Sequence, residues 1–185
     1  LKWLEERNVS VVPTRWLDKP RQADILVLFD EYGSDKMVIK PAIGANAEHA
    51  HVLNKRTLEQ DWPGIEPVFE HRQAMVQPFR AAIQSEGEYS LMFVDGEISH
   101  TIRKTPKPGD FRSQEEHGAD ITLVQPEALL VKRASEAVWA LSVRPLYGRA
   151  DMIRNPDGDF EIMELELVEP SMYLRMDPGA PMRFA

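Results

Sequence analysis

Arg149-Ala150-Asp151-Met152-Ile153-Arg154-Asn155-Pro156-Asp157-Gly158-Asp159-Phe160-Glu161-Ile162-Met163-Glu164-Leu165-Glu166 is the stretch on which the reading of the chain turns. Two apolar-rich runs flank a cluster of Asn, Pro, Asp and Gly, which predicts a β-hairpin with strands at residues 148–154 and 160–168. Period two along the second strand sets Ile162, Glu164 and Glu166 on one face and Met163, Leu165 and Leu167 on the other. A four-residue loop over 156–159 pairs Asn155 with Phe160, which brings Asp151 across from Glu164 and Arg149 across from Glu166. Like charges facing each other in a sheet are destabilising, so three carboxylates here call for a cation. An all-oxygen set suits Mg²⁺ or Mn²⁺ rather than zinc. Spacing alone serves a metal site and a solvated acidic strand face, compensated by Arg149 and Arg154, equally well.

Upstream lies a second hairpin, with alternating runs at 89–94 and 98–103 around Asp95-Gly96. Before it come short strands at 36–41 and 74–77, each closed by a proline, and a segment at 19–31 with helical character around 23–29, where the apolar run is short enough to suit a strand as well. Residues 1–8 read as the end of a helix and 9–12 as a short strand. The residues after Pro41, Ala42 to Glu48, are small and aperiodic, which predicts a loop. Residues 105–120, rich in Pro, Gly and charge, form a second loop long enough to need a reason for order. Residues 126–143 give the clearest helix, with Leu130, Ala134, Val138 and Leu141 on one face and Pro126 in its first turn. Strands and helices mix without regular βα alternation, so the fold class is α+β. The four tryptophans, Trp3, Trp16, Trp62 and Trp139, are expected in core or packing positions.

The 185 residues are 43% hydrophobic and 28% charged, enough for one domain or two small lobes, and the net charge is −8. That charge argues against binding nucleic acid, whose phosphates demand a basic surface. The sequence contains no cysteine, which excludes disulfides and thiolate metal sites and fits a cytoplasmic protein. It also contains no apolar run long enough to span a membrane, and its opening stretch, lacking a continuous hydrophobic region, does not read as a secretory signal. From Asp151 onward eight acidic residues face three basic ones. The chain opens abruptly, without methionine, on Leu1-Lys2-Trp3-Leu4-Glu5-Glu6-Arg7, as though trimmed from a longer protein. Lys40, Lys104 and Arg112 supply the anion-binding side, Lys40 just before the small-residue loop. No GxxxxGK[ST] phosphate loop and no GxSxG elbow occurs.

Taken in order, these pieces resemble the ATP-grasp superfamily, in particular its glutathione-synthetase-like branch. The matching residues are Val38-Ile39-Lys40-Pro41 with the loop to Glu48, then Val76-Gln77-Pro78-Phe79, then Gly87-Glu88 with Ser90. Lys104, Gly109-Asp110-Phe111-Arg112 with Gly118, Arg149-Ala150-Asp151 and Met163-Glu164-Leu165-Glu166-Leu167-Val168-Glu169-Pro170 complete the series. The resemblance implies two α+β lobes with antiparallel sheets gripping ATP in the cleft between them. Residues 13–78 would form the N-terminal lobe and 79–185 the C-terminal lobe with the metal site. Residues 1–12 would be a remnant of, or connector from, an absent N-terminal pre-ATP-grasp domain.

The resemblance also implies roles. Lys40, Gly44, Ala45, Asn46, Gln77, Pro78, Phe79, Glu88 and Lys104 would bind ATP. Asp151, Glu164 and Glu166 would hold one or two Mg²⁺ ions, and Arg112 and Lys104 would serve catalysis. The implied reaction joins a small-molecule carboxylate to an amine, or closes a ring, through an acyl phosphate, forming a C–N bond with release of ADP and phosphate. Association with a second copy is left open. Alternatives are a non-catalytic or regulatory ATP-binding module of the same fold and an acidic divalent-metal-binding domain without nucleotide. Two features depart from the commoner family pattern: Glu164-Leu165-Glu166 replaces Glu-x-Asn, and Glu169-Pro170-Ser171 replaces Asn-Pro-Gly. The closing stretch looks closer to the subgroup that includes the cyclo-ligase of cycloserine biosynthesis.

Overall fold

Alternation of apolar and polar side chains builds two antiparallel sheets, each backed by helices with a matching apolar stripe. The computed structural model describes residues 1–44 and 46–185. Its elements run α1 (Lys2–Glu5), β1 (Arg15–Asp18), α2 (Gln22–Glu31), β2 (Lys36–Pro41), β3 (His51–Asn54), α3 (Leu58–Phe69) and β4 (Gln73–Pro78). They continue with α4 (Ala82–Ser85), β5 (Glu88–Val94), β6 (Glu97–Thr105), β7 (Asp120–Val124), α5 (Ala128–Trp139), β8 (Tyr147–Arg154), β9 (Phe160–Glu166) and α6 (Ala180–Phe184). Two units emerge, Val12–Phe79 and Leu1–Val11 with Arg80–Ala185.

In the Val12–Phe79 unit the strand order is β1-β4-β2-β3, all antiparallel. Its core joins Met37, Ile39, Leu53, Ala74 and Val76 from the strands to Ile25, Leu28 and Phe29 of α2 and Leu58, Trp62, Ile65 and Phe69 of α3. Helix α3 is not among the elements expected from sequence, and Pro63, Gly64 and Pro67 punctuate it. Its buried residues nonetheless recur at helical spacing, and burial of that stripe outweighs the loss of amide donors. Strand β1 was also unexpected, and the strand expected at 9–12 is reduced to one bridge, Val11 to Ile162.

The other unit carries the sheet β7-β6-β5-β8-β9. Leu91, Phe93, Ala150, Met152, Phe160 and Ile162 pack on one side against Leu130, Ala134, Ala137 and Val138 of α5 and against Leu4 and Val9. The expected helix at 126–143 is shorter, ending at Trp139, and that tryptophan is 73% exposed rather than buried. The Asp95-Gly96 hairpin turn forms with positive φ at both residues (48° and 76°), the primed geometry that matches strand twist.

The decisive hairpin forms with a different register at its turn. Arg154 pairs with Phe160, and Asn155 and Asp159 close the loop through a 2.8 Å backbone bond from Asn155 N to Asp159 O. One register shift, between Asp151 and Met152, restores the expected pairs Asp151–Glu164 and Arg149–Glu166. The extra residue is Met163, because Met152 pairs with Ile162. The expectation that Ile162 shares a face with Glu164 is therefore corrected. The bulge turns Ile162 into the α5 core, where Leu165 also packs, while both glutamates reach the opposite side.

Candidate active site

The sheet face opposite α5 is where the polar residues of four strands meet. Strand β5 brings Glu88 and Ser90, β6 brings Lys104, β8 brings Arg149 and Asp151, and β9 brings Glu164 and Glu166. Gly87 opens β5 at φ +103°, and a Cβ there would lie 2.7 Å from the Lys104 carbonyl oxygen. Glycine is what lets β5 start that close to β6.

One carboxylate oxygen from each of Asp151, Glu164 and Glu166 lies within 4.8 Å of the others. The sequence called for a cation here, and the chain supplies two of its own. Lys104 Nζ donates to Glu88 Oε1 at 2.8 Å and to Asp151 Oδ1 at 3.3 Å. Arg149 grips Asp151 with Nε (2.9 Å to Oδ1) and Nη2 (2.8 Å to Oδ2), and donates to Glu166 Oε1 and to the Ser171 carbonyl at 3.1 Å. Ser90 adds a short hydroxyl bond to Asp151. The second oxygen of Glu88 accepts Ser113 Oγ at 2.6 Å, which ties the loop between β6 and β7 to the cluster.

Burial governs the charges. Lys104 is 4% exposed and Asp151 2%. Burial disfavours the Lys104 ammonium, yet Asp151 and Glu88 outweigh it and hold the proton more tightly than usual. Burial likewise pushes the Asp151 carboxyl up, but Lys104 and Arg149 prevail and hold it below the usual range. Glu166 goes the other way: burial raises its carboxyl, Asp151 and Glu164 push in the same direction, and Arg149's opposing pull does not prevail. As a donor set the three carboxylates fit a hard divalent ion, being all oxygen and convergent.

Beyond the cluster, Arg112 chelates Asp110, with Nη2 2.8 Å from Oδ2 and Nε 3.0 Å from Oδ1. Tyr173, in the left-handed region at φ 45°, sets its ring 5.9 Å from the Lys104 ammonium. Its neighbour Met172 accepts a 3.0 Å bond from His100 Nε2 through its carbonyl.

In the Val12–Phe79 unit, Lys40 lies on β2 opposite Met75. Gly44 and Asn46 follow in the loop, and Ala45 lies outside the described residues. Residues 41–44, 48–49 and 71–73 line an open cavity of about 470 Å³ beside that loop. Gln77 and Pro78 end β4 opposite Val38 and Met37, and Phe79 N donates to the Lys36 carbonyl at 3.0 Å. The Gln77 side chain donates to Thr14 Oγ1 at 2.9 Å.

No protein-family model matches the chain. The cycloserine biosynthesis protein DcsG of Streptomyces lavendulae is 33% identical over 198 residues, a match covering 98% of this chain and 64% of that protein. The chain thus spans less than two thirds of its curated relative. Among solved structures, D-cycloserine synthetase DcsG matches with TM-score 0.87 at 22% identity, over 100% of this chain and 66% of that one. The ATP-grasp ligase PsnB, complexed with minimal precursor, Mg and ADP, matches at 0.68 with 15% identity, over 98% and 54%. The chain has the ATP-grasp fold. D-alanine–D-alanine ligase from Bacillus anthracis, complexed with ATP, adds a TM-score of 0.70 at 19% identity, over 99% of this chain and 59% of that one.

Within the ATP-grasp frame, the atypical Glu166 has a definite partner in Arg149. Sequence reasoning treated Arg149 only as a counter-charge opposite Glu166. Its position two residues before Asp151 on the same strand was the signal that it reaches both carboxylates. Ser113 and Tyr173 left no such signal, since a loop serine and a tyrosine beyond the last strand have no period to read.

Proposed function

We propose that the chain is the nucleotide- and metal-binding part of an ATP-dependent carboxylate ligase, a carboxylate–amine ligase or cyclo-ligase working through an acyl phosphate. The observation that carries this reading is the convergence of Asp151, Glu164 and Glu166 beside Arg149 and Lys104 on one sheet face of an ATP-grasp fold. Support also comes from relatives whose structures hold Mg with ADP, or ATP.

In the Val12–Phe79 unit, Lys40 and the loop bearing Gly44, Ala45 and Asn46 would contact the phosphates, and Gln77, Pro78 and Phe79 the adenine edge. In the other unit, Asp151, Glu164 and Glu166 would hold Mg²⁺, with Glu88 and Lys104 beside the nucleotide. The ion, when bound, neutralises charge on the transferred phosphoryl group. An acceptor carboxylate oxygen would bond to the γ-phosphorus as the bond to ADP breaks. An amine nitrogen would then attack the acyl carbon, losing a proton to solvent as phosphate departs. Arg112 and Lys104 would supply fixed positive charge where negative charge develops. Such a ligase belongs in the cytoplasm, where ATP and Mg²⁺ are at hand. No helix of the described residues is long and apolar enough to cross a membrane.

Thermal unfolding with Mg²⁺ and a non-hydrolysable ATP analogue tests this reading, since a ligand of the folded state alone raises the midpoint. The expected shift is several degrees in wild type and is lost in Glu164→Ala at an unchanged ligand-free midpoint. A wild-type midpoint that ignores both ligands refutes the nucleotide reading.

A further inference from the structure

A carboxylate offers about four lone-pair positions, and Asp151 has them filled. Oδ1 accepts from Ser90 Oγ, Lys104 Nζ and Arg149 Nε, and Oδ2 accepts from Arg149 Nη2 and, at 3.0 Å, from the shared Nε–H. A metal ion bonding to Asp151 must therefore displace a donor. The three donors are not equally free to go. Ser90 stands on β5 directly across from Asp151. Lys104 is held on its far side by Glu88, which Ser113 holds in turn. Arg149 is different, because the carboxylates that grip it, Asp151 and Glu166, are both members of the metal-competent set. An ion drawing those oxygens toward itself removes both of the guanidinium's anionic partners at once. Among the described residues the hydrogen bond that remains is the one to the Ser171 carbonyl, a weaker neutral acceptor, with Glu88 attracting the guanidinium through space.

We propose that Arg149 and the divalent ion are alternative occupants of the Asp151 and Glu166 carboxylates. The guanidinium is the resident cation of the metal-free protein. Entry of the ion releases it, and the positive charge becomes available to the anion that accompanies the metal. Glu166 is then the residue that makes the exchange two-sided. With an uncharged amide there, Asp151 would be the one carboxylate hydrogen-bonded to Arg149 among the described residues. The proposal rests on the metal reading of the site.

Two measurements test it, neither depending on turnover. The first is calorimetric titration of the nucleotide-free protein with Mn²⁺. Removing a unit charge a few ångströms from the ion should tighten Mn²⁺ binding on the order of tenfold in Arg149→Met. In Arg149→Lys, which keeps the charge but loses the two-pronged grip, the gain should be smaller. The second uses unsubstituted, ¹⁵N-arginine-labelled protein, so it does not depend on a variant that folds. The Arg149 Nε–H, protected by Asp151 in the metal-free state, should exchange with solvent on the order of tenfold faster at Mg²⁺ saturation. A gain of about threefold or less in a folded Arg149→Met protein, or an Nε–H that stays protected at saturation, overturns the exchange and leaves the metal reading standing. Absence of Mn²⁺ binding in every protein, with and without the non-hydrolysable ATP analogue, removes the metal reading and the exchange together.

Discussion

Replacing Lys104 with methionine keeps the stem and deletes the ammonium, which isolates the charge. In wild type that ammonium lies 2.8 Å from Glu88 and 3.3 Å from Asp151, with all three groups buried. Breaking a buried ion pair by removing one partner costs about 3–5 kcal/mol, since the survivor is left charged and dry. Asp151 keeps Arg149 and Ser90, and Glu88 keeps Ser113, so the lower end applies, about 3 kcal/mol. In a chain of this size that is a fall in Tm of about 6–12 °C. Adding Glu88→Gln removes the orphaned charge while preserving an acceptor for Ser113. The double variant should recover about 1–2 kcal/mol of the loss.

The assay is urea unfolding, combined with amide exchange in β5, β6 and β8 so that the change is read in the unit that carries it. The proton on Lys104 is held more tightly in the folded state, so its contribution is present at neutral pH and disappears only as pH rises through the elevated folded value. Asp151, held below its ordinary range, contributes above that range and loses its share as pH falls through the folded value. A loss below about 1 kcal/mol, or a double variant no better than the single, would mean that Lys104 does not rest between the carboxylates in solution.

Gly87→Ala should cost about 1–3 kcal/mol, because φ +103° strains any side chain and its Cβ would meet the Lys104 carbonyl oxygen at 2.7 Å; chemical denaturation reads it. Phe160→Ala, at the centre of the α5 core, should cost about 3–5 kcal/mol, and a loss under 1 kcal/mol would refute that placement. Asp110 is held below its ordinary range chiefly by its hydrogen bonds to Arg112, so it stabilises the loop above that range and ceases to as pH falls through the folded value. The Tm gap between wild type and Asp110→Asn, present at pH 6, should therefore close in acid; a gap that widens as pH falls would contradict the ion pair.

Legibility tracked how far each element's partner lay from it in the chain. Both hairpins were readable because a turn signal and an alternating pattern sit within the same short window. The carboxylates were readable as a cluster for the same reason: β8 and β9 face each other across one turn. Helix α3 was hidden because two prolines and a glycine speak locally against it, and only tertiary burial of Leu58, Trp62, Ile65 and Phe69 decides otherwise. Trp139 was misread because the helix ends there, so its residue type predicted a burial that its position does not provide. The resident cations were the largest omission. Lys104 reaches Asp151 across 47 residues of sequence, and no local period encodes such a contact.

The extra residue at Met163 carries a consequence for how this hairpin can change. On the turn side of it, the phase of β9 answers to the hydrophobic core, through Phe160 and Ile162. On the far side, the phase answers to chemistry, through Glu164 and Glu166. Deleting Met163 would leave a regular alternation, with Ile162 still opposite Met152 on the core side and Glu164 still opposite Asp151. Keeping Met163 while flattening the bulge is what would carry the glutamates to the core face, because period two from Phe160 and Ile162 then continues through Glu164 and Glu166. The bulge thus absorbs one residue of length, so that even-numbered side chains of one strand face the core before it and the carboxylate cluster after it.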